Sequence, residues 1–172
     1  MKTLDDLELL DGLPIGIVEQ TRGRTIGEGE FAMLTSVTWT TGEVHTNRES
    51  AAARPGSKER VLGATVTLAV ASGLVSQSLW DRFTQVHRVR TVGSVAIEAL
   101  HKGPVYPGDT LYVEVVLESA TPSGDRPGQG LLIFADRIFN QQGQTVATVR
   151  RTLLFERTPC SSGEQRVTRE AD

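Results

Sequence analysis

The chain has 172 residues, 38% of them hydrophobic and 23% charged, the make-up of a single folded domain that buries a core. Eighteen Lys and Arg against 21 Asp and Glu leave a net charge of -3 with both signs scattered, so there is no basic stripe for nucleic acid and no polybasic patch for a membrane. One cysteine, Cys160, and three separated histidines, His45, His87 and His101, exclude an internal disulfide and a Cys/His metal cage, which sets the expectation of a reducing, cytoplasmic protein without a metal site.

Met1-Lys2 is followed by Asp5, Asp6 and Glu8, which is not the cationic start and apolar core of an export signal. A first strand is expected within residues 15–26, interrupted by Gly23. Residues 28–38 carry Phe31, Leu34 and Val37 or Thr38 at three- and four-residue spacing, which predicts a short amphipathic helix. A polar loop, TWTTGEVHTN at 38–47, contains His45. Asn47 then caps a helical turn running to Ala53 and stopping before Pro55-Gly56.

Residues 61–80 hold no charge and match the length of a bilayer span. Gly63, Thr65, Thr67, Ser72, Gly73, Ser76, Gln77 and Ser78 are too polar and small for a lipid-facing surface, so the stretch reads as a helix buried in protein. Four β-rich runs follow, 92–101, 110–119, 130–140 and 144–156, separated by Pro104, Pro107-Gly108-Asp109, Pro122-Ser123-Gly124-Asp125 with Pro127-Gly128, and Gln142-Gly143. Short connections predict an antiparallel meander. A curved sheet wrapped around one long central helix would bury both, the helix on nearly all sides, in an α+β domain over residues 1–157. Residues 158–172 are polar and without period, and are expected to be a disordered tail.

Two segments, GRTIGEGEF at 23–31 and KGPVYPGDTLYVEV at 102–115, are similar to the GRTITEADI and KPVyPGDTL stretches of the MaoC-like dehydratases, which include the (R)-specific enoyl-CoA hydratases. The resemblance spans about residues 15–156. It implies a hotdog fold and the hydration or dehydration of an α,β-unsaturated or 3-hydroxy acyl thioester of coenzyme A or acyl carrier protein. It also implies no metal or redox cofactor, and a homodimer or higher homo-oligomer.

The family's G-D-x-N-P-x-H loop, in which Asp and His activate one water, is altered here. Without gaps, His45 falls on the family's His and Thr40 on its Asp; with a gap, Gly42-Glu43 replaces Gly-Asp. Aligning Ala71-Ser72-Gly73-Leu74 on the family's ASGL puts Gly63-Ala64 where a His-Gly pair usually stands, so the Ala64 N–H would serve as the oxyanion donor, and Ser72 matches a serine near the site. The resemblance thus implies His45 and Glu43 as catalytic residues, with Gly63, Ala64, Ser72 and Thr40 at the oxyanion and substrate positions.

Each residue also has a plainer reading: His45 bridging a loop, Glu43 solvated, Ser72 permitting close packing. A hotdog thioesterase, suggested by Glu43 without an Asp partner, and a non-catalytic acyl-thioester-binding protein, suggested by Thr40 and Gly63, stay open. Trp39 and Trp80 are expected as core or interface anchors, His87 as a solvated linker residue and His101 as a strand end. Arg48, Arg54, Lys58 and Arg60 are candidates for attracting coenzyme A phosphates.

Overall fold

Between residues 110 and 157 the sequence alternation becomes an alternation of burial. Leu111, Val113, Val115 and Leu117 are buried while Tyr112, Glu114 and Val116 between them keep some exposure. The computed structural model describes residues 12–123, 126 and 128–158. Among these, strands β1 (Val18–Gln20), β2 (Arg24–Thr25), β3 (Val89–His101), β4 (Thr110–Pro122), β5 (Gln129–Phe139) and β6 (Thr145–Arg157) form an antiparallel sheet ordered β1-β4-β5-β6-β3, with β2 also on β4. Its inner face packs on a helix, the hotdog arrangement. Leu132, Phe134, Ile138, Leu153 and Phe155 meet Val66, Val70, Leu74, Val75 and Leu79 in one core. Each such side chain, fully buried, contributes roughly 1.5–3 kcal/mol.

The break near Gly23 has a steric cause: a Cβ there would lie 2.5 Å from Cε1 of Tyr112, so the chain passes too close to the ring for any side chain. Only β4, β5 and β6 are a meander. β3 pairs with β6, not with its successor β4, and forms the far edge of the sheet. The link 102–109 is therefore a crossing rather than a hairpin turn. Asp109 braces it, accepting from the Tyr106 N–H at 2.8 Å and from Gln141 Nε2 at 2.9 Å. His101 does end β3.

Four helices precede the last one. They are α1 (Glu28–Val37), the short turns α2 (Glu43–Thr46) and α3 (Arg48–Ala52), and α4 (Ala64–Val75). The expected polar loop thus contains a helical turn, and Asn47 caps α3 by accepting from the Ser50 N–H at 3.1 Å. α4 runs through a π turn at Ser76–Trp80 into α5 (Asp81–His87). Both ends differ from the 61–80 expectation. Residues 61–63 are an extended strap, because Leu62 N–H is taken by the Val105 carbonyl at 2.8 Å and Val61 N–H by that of Val44 at 3.1 Å. Past Trp80 the helix persists because exposed Asp81, Arg82 and Gln85 face outward while Phe83 turns in.

Nor is the helix covered on all sides. Thr65, Ala69, Ser72, Gly73 and Ser76 form an exposed stripe of small residues, the polar face that the absence of charge concealed. Trp80 is an anchor, ringed by Phe83, Phe134 and Phe155 at 5.3–5.9 Å. Trp39 is 86% exposed and is no part of the core. His87, rather than a solvated linker, is half-buried against the Phe83 ring at 4.9 Å. The expected tail, but for Thr158, lies outside the described residues. No helix among them is long and apolar enough to cross a membrane.

Candidate active site

The site is built where α1 ends. Trp39 N–H bonds to the Ser36 carbonyl at 3.1 Å and Thr40 N–H to that of Thr35 at 3.0 Å, the two reverse bonds of a Schellman cap, with Trp39 at φ 56° in the place usually given to glycine. The Thr38 hydroxyl donates to Leu34 O at 2.6 Å and pairs with the Thr40 hydroxyl at 2.9 Å. This turn carries Thr40 onto Gly63, the N-cap of α4. A Cβ on Gly63 would stand 2.8 Å from the Thr40 methyl and 3.3 Å from its Oγ1.

His45, half-buried in α2, reaches the same strap. Its Nδ1 lies 2.6 Å from the Val61 carbonyl oxygen. A carbonyl only accepts, so Nδ1 carries the hydrogen, and in the tautomer this selects Nε2 is the acceptor. Two residues beyond Val61 the helix begins. The first-turn N–H groups of α4, Ala64 among them, have no intrahelical acceptor and lie at the positive end of the helix dipole. Thr40 therefore abuts the N-cap of α4, and His45 bonds the strap two residues before that cap.

Glu43 and Ser72 sit differently. Glu43 is two residues before His45 in the same turn, a spacing at which helical side chains diverge, and its Oε2 accepts from the Ser50 hydroxyl at 2.7 Å. Ser72 is exposed, eight residues along the helix from Ala64, about 12 Å at the α-helical rise. Sequence reasoning missed Val61 as the acceptor that orients His45; a backbone carbonyl leaves no mark in residue identity. It also missed Ser50, the partner of Glu43.

Two of the four basic residues after the loop, Arg48 and Arg60, are held in ion pairs. Arg48 bonds Glu59 at 2.8 Å, and Arg60 bonds Glu59 at 3.0 Å and Glu28 at 2.6 Å while lying over the Phe31 ring. The Glu28 hydrogen bond, then that from Glu59, raises the Arg60 pKa, and the Arg60 N–H and guanidinium hold Glu59 below the usual carboxylate range. These pairs pin the strap that His45 leans on. A second polar pair lies inside the sheet: Arg151 holds Asp136 through Nε at 2.6 Å and Nη2 at 2.8 Å, with Asp136 facing the core side beside Val115 and Val149. Burial pushes the Asp136 pKa up against the opposing pull of Arg151.

The chain is similar over 88% of its length to a MaoC-like dehydratase from Rhodospirillum rubrum, 98% of which is covered, with a TM-score of 0.68 at 19% identity. The (R)-hydratase from A. caviae involved in PHA biosynthesis is matched over 87% of this chain and 99% of its own, TM-score 0.64, 19% identity. A conserved hypothetical protein of Mycobacterium tuberculosis with a double hotdog fold is matched over 83% of this chain and 39% of its own, TM-score 0.60, 18% identity. No curated protein sequence matches the chain. The model of the MaoC-like domain matches residues 15–129, well over half of the sequence, and the chain belongs to that family.

Proposed function

We propose that this protein hydrates an α,β-unsaturated acyl thioester, or dehydrates the 3-hydroxy form, with His45 as the base. The observation that carries the reading is the bond from His45 Nδ1 to the Val61 carbonyl beside the start of α4, which leaves Nε2 to take a proton next to unpaired helix N–H groups. Nε2 accepts a proton from water as its oxygen bonds the β-carbon. The electron pair displaced from the double bond moves onto the thioester oxygen, which Ala64 N–H and the helix dipole stabilise, and the α-carbon is then protonated. Glu43 is the proposed second proton-transfer group. To serve, it exchanges its bond to Ser50 for one to substrate or water. Thr40 orients water at the Gly63 cap, and Ser72 lies along the acyl path.

The proposed substrate is a coenzyme A or acyl-carrier-protein thioester, in the cytoplasm, and the proposed assembly is a homodimer. β3 supports the dimer: it is a 13-residue edge strand with Val92, Val95, Ile97 and Leu100 exposed, a surface a soluble chain covers with a partner. Its solution mass would be twice that of the chain.

A second reading, thioester binding without turnover, is favoured by the gapless alignment, which sets Thr40 on the family's Asp, and by the engagement of Glu43 with Ser50. The test is the loss of enoyl absorbance on adding crotonyl-CoA and longer enoyl-CoA substrates. Turnover establishes the hydratase, release of free thiol instead supports a thioesterase, and tight binding with neither supports the binding protein.

A further inference from the structure

The lysine of the KGPVYPGDTL segment has no part in the chemistry above, yet its position is informative. A cleft of about 610 Å³ opens between Lys58 in the loop ahead of the 61–63 strap, the crossing link after β3 and the β5–β6 turn. Lys58 enters it from that loop and Lys102 from the crossing link, with Tyr106, Gln141 and Gln144 also in the wall. The Lys58 ammonium is held 4.8 Å from the centre of the Tyr106 ring. Asp109 is the single carboxylate among the lining residues, and both of its oxygens already accept hydrogen bonds, from Tyr106 N–H and Gln141 Nε2. Among the described residues neither lysine has an ion-pair partner, in contrast to Arg48 and Arg60. The cleft is thus net cationic and amide-lined, a match for a phosphate group.

Its distance from the chemistry is bounded by the chain. Lys58 precedes Val61 by three residues and Ala64 by six, so its Cα is at most about 21 Å from the oxyanion position even if the chain between them were fully extended. That lies within reach of a pantetheine arm with its thioester at Ala64.

We infer that this cleft binds the phosphate of the pantetheine carrier of the acyl group, with Lys58 and Lys102 as the charge-bearing residues. The inference rests on the thioester reading of the site and adds where the handle of the substrate is gripped. The phosphate has two sources: the 4'-phosphate shared by coenzyme A and carrier protein, or the nucleotide phosphates of coenzyme A alone.

The test compares the full chain with a Lys58→Gln/Lys102→Gln variant and a Lys58→Glu/Lys102→Glu variant, whose exposed positions leave the melting temperature unchanged. Three crotonyl thioesters are used: of coenzyme A, of 4'-phosphopantetheine and of N-acetylcysteamine, which has no phosphate. The expected result is a KM raised about tenfold or more for coenzyme A, the loss of one charge-assisted contact, with the N-acetylcysteamine kinetics unmoved and the Glu variant worse than the Gln variant. An equal rise with phosphopantetheine assigns the 4'-phosphate; a rise with coenzyme A alone assigns the nucleotide phosphates. Identical changes for all three thioesters, or none, overturn the inference. Equilibrium binding of 4'-phosphopantetheine and of adenosine 3',5'-bisphosphate separates this inference from the reading it rests on. If no thioester is turned over but either probe binds the parent and not the variants, the hydratase reading fails and the phosphate cleft stands. If neither probe binds, the cleft assignment is overturned.

Discussion

The Thr40 methyl occupies the space that a side chain at position 63 would need, 2.8 Å from a Cβ built on Gly63. In the gapless alignment Thr40 stands where the family carries Asp and Gly63 where it carries His, and on that alignment the two departures touch each other. Gly63→Ala is therefore expected to cost about 1–3 kcal/mol of stability through overpacking. Thr40→Ser, which removes the methyl, should restore much of it. A double-mutant cycle by chemical denaturation measures the coupling, and additive effects of the two changes would refute it.

His45→Ala is expected to lower enoyl-thioester hydration by about two to four orders of magnitude, the contribution of a positioned proton-transfer group. His45→Gln, which keeps a donor for the Val61 carbonyl but supplies no base, should be as inactive while retaining the parent melting temperature. Near-parent activity in either variant would remove His45 from the mechanism.

Glu43 is tested through Ser50. If Glu43 is the second proton-transfer group, Glu43→Gln falls by about two to four orders of magnitude and Ser50→Ala, which frees the carboxylate, changes the pH profile of kcat. A silent Glu43→Gln in an efficient enzyme would leave the carboxylate as a brace between α2 and α3, and Thr40→Asp then becomes the variant in which a gain of activity is sought.

Much of this architecture is readable from residue types, and the exceptions share a cause. The alternation of Leu111, Val113, Val115 and Leu117, the Pro-Gly turns and the uncharged helix are local signals that any chain with these burial needs displays. The edge position of β3 is not local: which strand pairs with β6 depends on how residues 102–109 cross the fold, and no residue in β3 encodes it. The strap at 61–63 was hidden because Val61 and Leu62 are as apolar as the helix they precede, and the carbonyls of Val44 and Val105, distant in sequence, take their N–H groups. His45 was legible as a residue type; its orientation, fixed by a backbone oxygen, was not.

Two Arg–carboxylate pairs on the two faces of the sheet should respond to acid in opposite directions. Arg137 holds both Glu114 oxygens at 2.7 Å and keeps its pKa below the usual range, so the folded state binds fewer protons there than the unfolded chain. Its stabilisation is complete above the unfolded value, about 4.3, and is lost as pH falls through the lower folded value. Burial raises Asp136, so there the folded state keeps its proton longer, and stability declines as pH rises from about 3.9 through the folded value. Urea unfolding from pH 3 to 6 should show Glu114→Gln flattening the acid loss and Asp136→Asn steepening the net rise of stability with pH. The same slope change in both variants would contradict this assignment.

Trp39→Gly should raise stability by up to about 1 kcal/mol, because the left-handed turn at φ 56° strains any side chain and the exposed indole gains little within one chain. Thermal melting checks it. A lower melting temperature that depends on protein concentration would mean the indole is buried between subunits.

The π turn at Ser76–Trp80 sets the rotational phase of the central helix. Thr67, Ala71, Val75, Leu79, Phe83 and His87, all buried or half-buried, recur every four residues, and in an unbroken α-helix each such step would rotate the contact line by about 40°. Five steps would carry it halfway round, and Phe83 would leave Phe134 and Phe155 for solvent. The wider turn takes up that drift midway, so the same side of a helix running from Ala64 to His87 stays on the sheet. Its two halves are thereby geared to one another: a residue inserted or deleted in 76–80 would leave the Ala64 end in place while turning Trp80 and the residues after it out of register with the strands beneath.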